Sequence, residues 1–251
     1  MKTIAIINQK GGVGKSTTAA AIGAGFISKG YKTLFVDLDA QGNLSYSMKA
    51  DTRGYNALGV LQRPETIAAE IQQNEEGDII ASTPELSGAD TIITQTGKEH
   101  RLEEALHIVE GDYDFCIIDT PPALGILTIN ALTACTGAII PAQADVYSLQ
   151  GIAQLQGTVE AVKRYCNPRL YIMGIVLTRY NPRSIIRREV RETLEQTAEQ
   201  MHTKLYQTYI RECTALVEAQ AMQRDIYQYA PKSNAAADYR ALTEEILREE
   251  I

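Results

Sequence analysis

The sequence predicts an α/β fold, a doubly wound and mostly parallel sheet with helices on both faces. Three features carry that prediction. Residues 3–7 are apolar and β-branched and stop at a cluster of glycines; residues 16–28 follow with apolar positions at helical spacing and end at Gly30; residues 33–37 are again apolar and β-branched. A strand, a helix and a second strand make a βαβ unit, which implies parallel pairing because the crossover returns the chain to the same end of the sheet. The alternation persists along 251 residues, enough for one large domain with a substantial core.

The remaining elements follow from the same patterns. Apolar runs at 78–81, 115–118, 138–140 and 171–177 are predicted to be buried strands, with helical stretches between them. A helix is predicted to begin near 182–184. Ile186, Val190 and Leu194 recur every four residues as its buried stripe, with Arg187, Arg188 and Arg191 towards the opposite side. A last helix follows Pro231 over 235–247, and residues 49–77 are read as helical turns and loops at one end of the sheet. No Pro/Gly/Ser linker and no internal repeat interrupts the pattern, so residues 1–251 are read as a single domain.

Composition removes several function classes. No apolar run approaches the ~18 residues a membrane helix needs, and the apolar start runs into glycines rather than a small-residue cleavage site. Cys116, Cys135, Cys166 and Cys213 are scattered without a Cys-x-x-Cys pair, which argues against zinc or disulfides and fits a reducing cytoplasm. His100, His107 and His202 show no ligand spacing, and the late tyrosines, Tyr206, Tyr209, Tyr227 and Tyr229, are read as packing residues.

The first strand runs into Gln9-Lys10-Gly11-Gly12-Val13-Gly14-Lys15-Ser16-Thr17. Glycines let successive backbone N–H groups turn inward around phosphate oxygens, and the following helix N-terminus adds partial positive charge. Lys15 is placed to reach β- and γ-phosphates and the Ser16 hydroxyl to ligate Mg²⁺. By chance, Lys-Gly-Gly-x-Gly-Lys-Ser/Thr would occur in such a chain with a probability of about 10⁻⁵ to 10⁻⁴. A dinucleotide-binding turn would want glycine where Thr17 stands and has no use for Lys15. The loop departs from the standard phosphate-loop pattern, which wants glycine at Gln9, and carries a second lysine, Lys10.

Three acids complete the constellation. Asp37 and Asp39 end the second strand, at the carboxyl edge where α/β sheets bind ligands; either can hold a hydrolytic water or merely cap the next turn. Asp119 ends the apolar strand Phe115-Cys116-Ile117-Ile118, with Pro121-Pro122 following; alone it could be a plain turn residue, but paired with the phosphate loop it is expected to hold the shell of a phosphate-bound Mg²⁺. Ser16, Asp39 and Asp119 are the candidate Mg²⁺ residues.

These motifs resemble the deviant-Walker ATPases of the ParA/MinD type, which partition DNA or position division machinery. The resemblance covers Lys10–Thr17, Asp37-Leu38-Asp39-Ala40-Gln41-Gly42-Asn43, Asp119-Thr120-Pro121-Pro122, Pro141-Ala142-Gln143-Ala144-Asp145 with Tyr147 and Gly151, and Pro231-Lys232-Ser233. It implies ATP and ADP as ligands, Asp39 rather than Asp37 as the water-holding acid, and a homodimer in which Lys10 reaches the partner's ATP. It also implies a ParB-like centromere-binding partner. Relatives of this type usually carry Ile-Pro-Arg-Asn beside the adenine; here the stretch is Ile210-Arg211-Glu212-Cys213, so backbone groups rather than side chains are expected to meet the base.

The net charge of −7 hides a basic segment. Residues 163–191 hold eight Lys and Arg against Glu189 alone, a local +7 that leaves −14 on the rest. Just after Arg179, four arginines, Arg183, Arg187, Arg188 and Arg191, crowd the first half of one helix and glutamates its second, against the macrodipole preference. That placement points to a ligand, and sequence-independent contact with duplex DNA phosphates is the expectation, a plain solvated face being the alternative. A membrane-cycling division-site ATPase of the MinD type would need a basic amphipathic C-terminal helix, whereas residues 238–251 hold two arginines against five acids. The reading is therefore a cytoplasmic, nucleoid-associated partition ATPase without membrane attachment.

Overall fold

The computed structural model describes residues 1–250. Seven strands, β1 (Lys2–Ile6), β2 (Thr33–Asp37), β3 (Ile71–Gln72), β4 (Asp78–Ile80), β5 (Phe115–Asp119), β6 (Gly137–Ala142) and β7 (Tyr171–Leu177), form one sheet in the order β3-β4-β2-β5-β1-β6-β7. All pairs are parallel except β3–β4. The helices are α1 (Lys15–Ser28), α2 (Asn43–Ser47), α3 (Ala57–Gln62), α4 (Ile67–Glu70), α5 (Ala89–Ile92), α6 (Arg101–Ile108), α7 (Ile126–Ala134), α8 (Val146–Tyr165), α9 (Ile185–Gln200), α10 (Thr214–Ala221), α11 (Ile226–Tyr229) and α12 (Asn234–Glu250).

Alternation along the strands builds two cores, one on each face. Ile4, Ile6, Phe35, Phe115 and Ile117 pack with α1, α10, α11 and α12; Ala5, Leu34, Val36, Cys116 and Ile118 pack with α3, α6, α7, α8 and α9. Strands buried on both sides read as unbroken apolar runs, which is why they stand out in the sequence. The predicted strands 33–37 and 171–177 coincide with β2 and β7; β1 shifts by one residue, β5 and β6 extend by one or two, and β4 ends one residue early. β3 was not anticipated. It is a two-residue edge pairing, Ile71 with Ile80 and Gln72 with Ile79, that no local apolar pattern announces.

One expectation about α9 fails. Val190, Leu194 and Ala198 are buried, but Ile186 is 71% exposed. The first turn of α9 borders a cleft shared with Gln143 and Asp145, so Ile186 opens onto that cleft and the stripe begins one turn later. Arg187 and Arg191 are correspondingly half-buried rather than projecting away from the body.

Close approach of α1 to the sheet requires Gly23. A Cβ there would lie 2.1 Å from Phe35 Cε1 and 2.2 Å from its Cζ, and Phe35 is buried. Gly23→Ala gains helix propensity but overpacks the core, so a net loss of about 1–2 kcal/mol is expected. Urea unfolding measures it, and an unchanged or higher midpoint would contradict this packing.

Candidate nucleotide site

The connections leaving β1 and β6 run to opposite faces, α1 to one and α8 to the other. Neighbouring strands whose connections diverge open a crevice at their carboxyl ends, where α/β sheets take ligands. The loop from Asn8 to Gly14 fills one side of that crevice. Gly12 (φ +74°) and Gly14 (φ +89°) occupy the left-handed region that a side chain strains. Gly14 is the N-cap of α1, and no side chain among the described residues caps its first N–H groups. A Cβ at Gly11 or Gly12 would meet no described atom within 4 Å. Backbone donors and the positive end of a helix therefore face an open cleft, an anion cradle.

Lys15 lines this cleft yet is only 7% exposed, and its Nζ lies 3.4 Å from the Lys10 carbonyl oxygen. Burial lowers its pKa, while Asp119 and Asp39 pull it back up. Asp119 is fully buried at the end of β5, in register with Ile6 on one side and Asp37 on the other. Neither of its carboxylate oxygens meets a hydrogen-bond donor among the described residues. Burial and then Asp37 push its pKa well up; the Ser16 hydroxyl and Lys15, nearby but outside hydrogen-bond geometry, oppose them. A buried carboxylate without donors is costly unless a cation sits beside it, so Asp119 and Ser16 fit a Mg²⁺ site. Among the described residues no three His, Cys, Asp or Glu side chains form a metal cage. Mg²⁺ needs none, since it keeps waters and takes one or two protein oxygens plus phosphate.

The structure separates the two acids after β2. Asp37 accepts from Asp39 N (3.1 Å), Ser45 N (2.8 Å) and Ser45 Oγ (2.7 Å), and burial raises its pKa to about 6. It is the organiser of the 37–45 loop. Asp39 accepts from Gln41 N (3.1 Å) and lines the cleft together with Lys15 and Ser16.

Several residues distant in the chain brace the loop. Thr178 Oγ1 donates to Val13 O (2.8 Å), Gln143 Nε2 to Gly12 O (3.2 Å), and Gln220 Nε2 to Thr17 Oγ1 (2.7 Å). Lys10 turns towards the end of β6, with Nζ 2.5 Å from Asp145 Oδ2 and 3.4 Å from Gln143 Oε1. Asp145 and Gln143 stood within a matching motif but had no assigned role.

Relatives with known names share this architecture. The family model for the AAA domain matches residues 1–172. The chain is 38% identical to the sporulation initiation inhibitor protein Soj of Bacillus subtilis, over 98% of both chains. It is 36% identical to the chromosome-partitioning ATPase Soj of Thermus thermophilus, over 98% of this chain and 96% of that one. This chain belongs to the Soj/ParA family. Among solved structures, a Mycobacterium smegmatis cobyrinic acid a,c-diamide synthase with bound ADP and magnesium is 31% identical, with a TM-score of 0.85 over 99% of this chain and 95% of that one. Apo McdA of Cyanothece, at 22% identity and a TM-score of 0.87 over 98% and 99%, shares the fold.

In this Soj/ParA chain a second cavity adjoins the phosphate loop, bordered by Thr178, Arg179, Ile210, Cys213 and Gln220. Arg211 turns its guanidinium onto Asp238 of α12, Nη2 to Oδ1 2.6 Å and Nε to Oδ2 3.0 Å. The departure in that motif thus ties the segment to α12. The five arginines also divide. Arg179 (φ +49°) lines the phosphate-loop cleft, and its carbonyl accepts from the Arg187 guanidinium. Arg191 pairs with Glu195 (3.0 Å) and lies 5.9 Å from the Tyr180 ring centroid. Arg183 and Arg188 are exposed.

Proposed function

We propose that this chain is a Mg²⁺-dependent ATPase that forms an ATP-bound homodimer, binds double-stranded DNA without sequence preference, and partitions a plasmid, chromosome or mobile element. A ParB-like centromere-binding protein is its expected partner. One observation supports the ATPase reading above others. A buried ammonium, Lys15, and a fully buried carboxylate without donors, Asp119, lie beside a loop of open N–H groups. A nucleoside triphosphate with its cation compensates both.

In this reading the backbone from Gly11 through Val13 to Gly14, with the N–H groups of Lys15, Ser16 and Thr17, cradles the phosphates. Lys15 holds β- and γ-oxygens, and Ser16 with Asp119 would hold Mg²⁺ and its waters, which would supply neutralisation of phosphate charge. Asp39, at the cleft wall, orients the water that attacks the γ-phosphorus, leaving ADP and phosphate. Turnover is expected to be slow and stimulated by the partner protein, and DNA binding would keep the protein on the nucleoid. The membrane-cycling alternative would need an exposed apolar helix face with basic flanks; the apolar residues Tyr239, Leu242 and Ile246 of α12 are instead buried.

The dimer reading has its own test. Lys10→Ala should still bind ATP as a protomer and should not dimerise with it. Wild-type levels of ATP-induced dimer by light scattering would remove the cross-dimer role of Lys10.

A further inference from the structure

We propose that Asp238 and Glu245 of α12 are positioning residues that clasp residues 207–211 and so hold in place the wall of the cavity that takes the nucleoside half of ATP. On the reading that the cleft binds ATP, a triphosphate seated on the loop extends its ribose and base into the adjoining cavity, of about 210 Å³. The two spaces share Gly14, Thr17, Arg179, Val217 and Gln220, and Ile210 to Thr214 wall the second.

Residues 207–211 lie outside the helices and the seven strands. The segment hangs from the edge of the sheet, where Tyr206 N donates to Ile175 O (2.8 Å) and Ile210 N to Leu177 O (2.7 Å). Between these contacts Gln207 N and Thr208 N donate instead to the two oxygens of Glu245, at 2.9 and 3.0 Å. Arg211 N donates to Asp238 Oδ2 (3.0 Å), the same carboxylate that its guanidinium grips. Lys204 and Glu249 pair at the end of the row. Asp238, Glu245 and Glu249 are spaced i, i+7 and i+11, which is one stripe of an α-helix. Tyr239, Leu242 and Ile246 anchor α12 in the core, so the stripe is rigidly held. The acidity of residues 238–251 is thus directed in part at this segment rather than at solvent.

An irregular segment costs affinity if the nucleotide must order it on arrival, and a clasped one is ordered beforehand. Hydrogen bonds to a carboxylate are the strong kind, and the Asp238 side chain is only 11% exposed. Losing the clasp lowers the fraction of molecules with the wall in place, and apparent affinity falls with that fraction.

Asp238→Ala and Glu245→Ala each remove one point of the clasp. Arg211→Ala removes the guanidinium and keeps the backbone bond, while Asp238→Asn keeps an acceptor and loses the charge. Circular dichroism verifies the fold of each; should an acid-to-alanine variant not fold, Arg211→Ala and Asp238→Asn carry the comparison. Titration calorimetry of the full chain with Mg²⁺ sets ATP beside inorganic tripolyphosphate, which fills the loop and leaves the cavity empty. ATP binding should weaken by about three- to tenfold in the alanine variants of the two acids, and by less in the other two. Tripolyphosphate binding should stay at the wild-type level in all four.

ATP affinity that is unchanged or tighter in the folded variants overturns the clasp. Equal weakening of both ligands also overturns it, since general damage to the fold does that. Wild type that binds tripolyphosphate as tightly as ATP removes the cavity from the site, and the clasp with it. Wild type that binds neither ligand overturns the ATP reading itself.

Discussion

Lys15→Ala should abolish ATP binding. Lys15 is a buried cation whose partners in the apoprotein are two acids that raise its pKa and one carbonyl at 3.4 Å. The triphosphate brings the stronger anion, and in the variant those phosphate oxygens would enter a cleft still bordered by Asp39, with Asp119 buried beneath. Truncating one member of a buried, hydrogen-bonded charge pair costs about 2–5 kcal/mol, a loss of about 30- to 5,000-fold in affinity. Titration calorimetry with ATP and Mg²⁺ measures it. Wild-type affinity would reject the phosphate-loop assignment and everything built on it.

Asp39→Ala should stop hydrolysis and leave the ATP dimer standing. The Asp39 side chain accepts a hydrogen bond from Gln41 N in its own loop, and the cradle is built of backbone N–H groups, so the cradle and Lys10 remain. The trapped dimer should bind arbitrary duplex DNA stably with ATP and weakly with ADP, because pairing doubles the basic surface and each phosphate contact steepens the salt dependence. Adding Arg188→Glu should weaken DNA binding without touching the nucleotide, since Arg188 is exposed. Arg187→Glu should weaken both, since Arg187 holds the Arg179 carbonyl beside the phosphate cleft. Fluorescence anisotropy across a salt series reads these effects, with a slope shallower by about 2 when one contact is lost from each protomer. Equal DNA affinity in the ATP and ADP forms, or arginine reversals without effect, would refute the DNA reading and leave the ATPase reading intact.

Much of this protein was legible because its determinants are local. The first strand, the glycine loop and α1 are contiguous, so the turn, the N-cap and the open N–H groups follow from neighbouring residues and from backbone freedom at Gly12 and Gly14. Strands buried on both faces cannot alternate, and their apolar runs placed β2, β5 and β7 within a residue or two. Acids at the ends of β2 and β5 then had to lie at one edge of a parallel sheet.

What only the tertiary structure decided involves partners far apart in the chain. Asp37 and Asp39 look alike in sequence; Ser45, brought round by the following turn, saturates the first and leaves the second at the cleft. Lys10 meets Asp145 across 135 positions, and Arg211 meets Asp238 across 27. The stripe of α9 was shortened by one turn because Ile186 faces a cleft made by another connection; Arg187 turned onto the Arg179 carbonyl, and Arg191 onto Glu195 and the Tyr180 ring. Helical periodicity says which residues share a face. It does not say what lies opposite that face, and burial, ion pairing and pKa depend on what lies opposite.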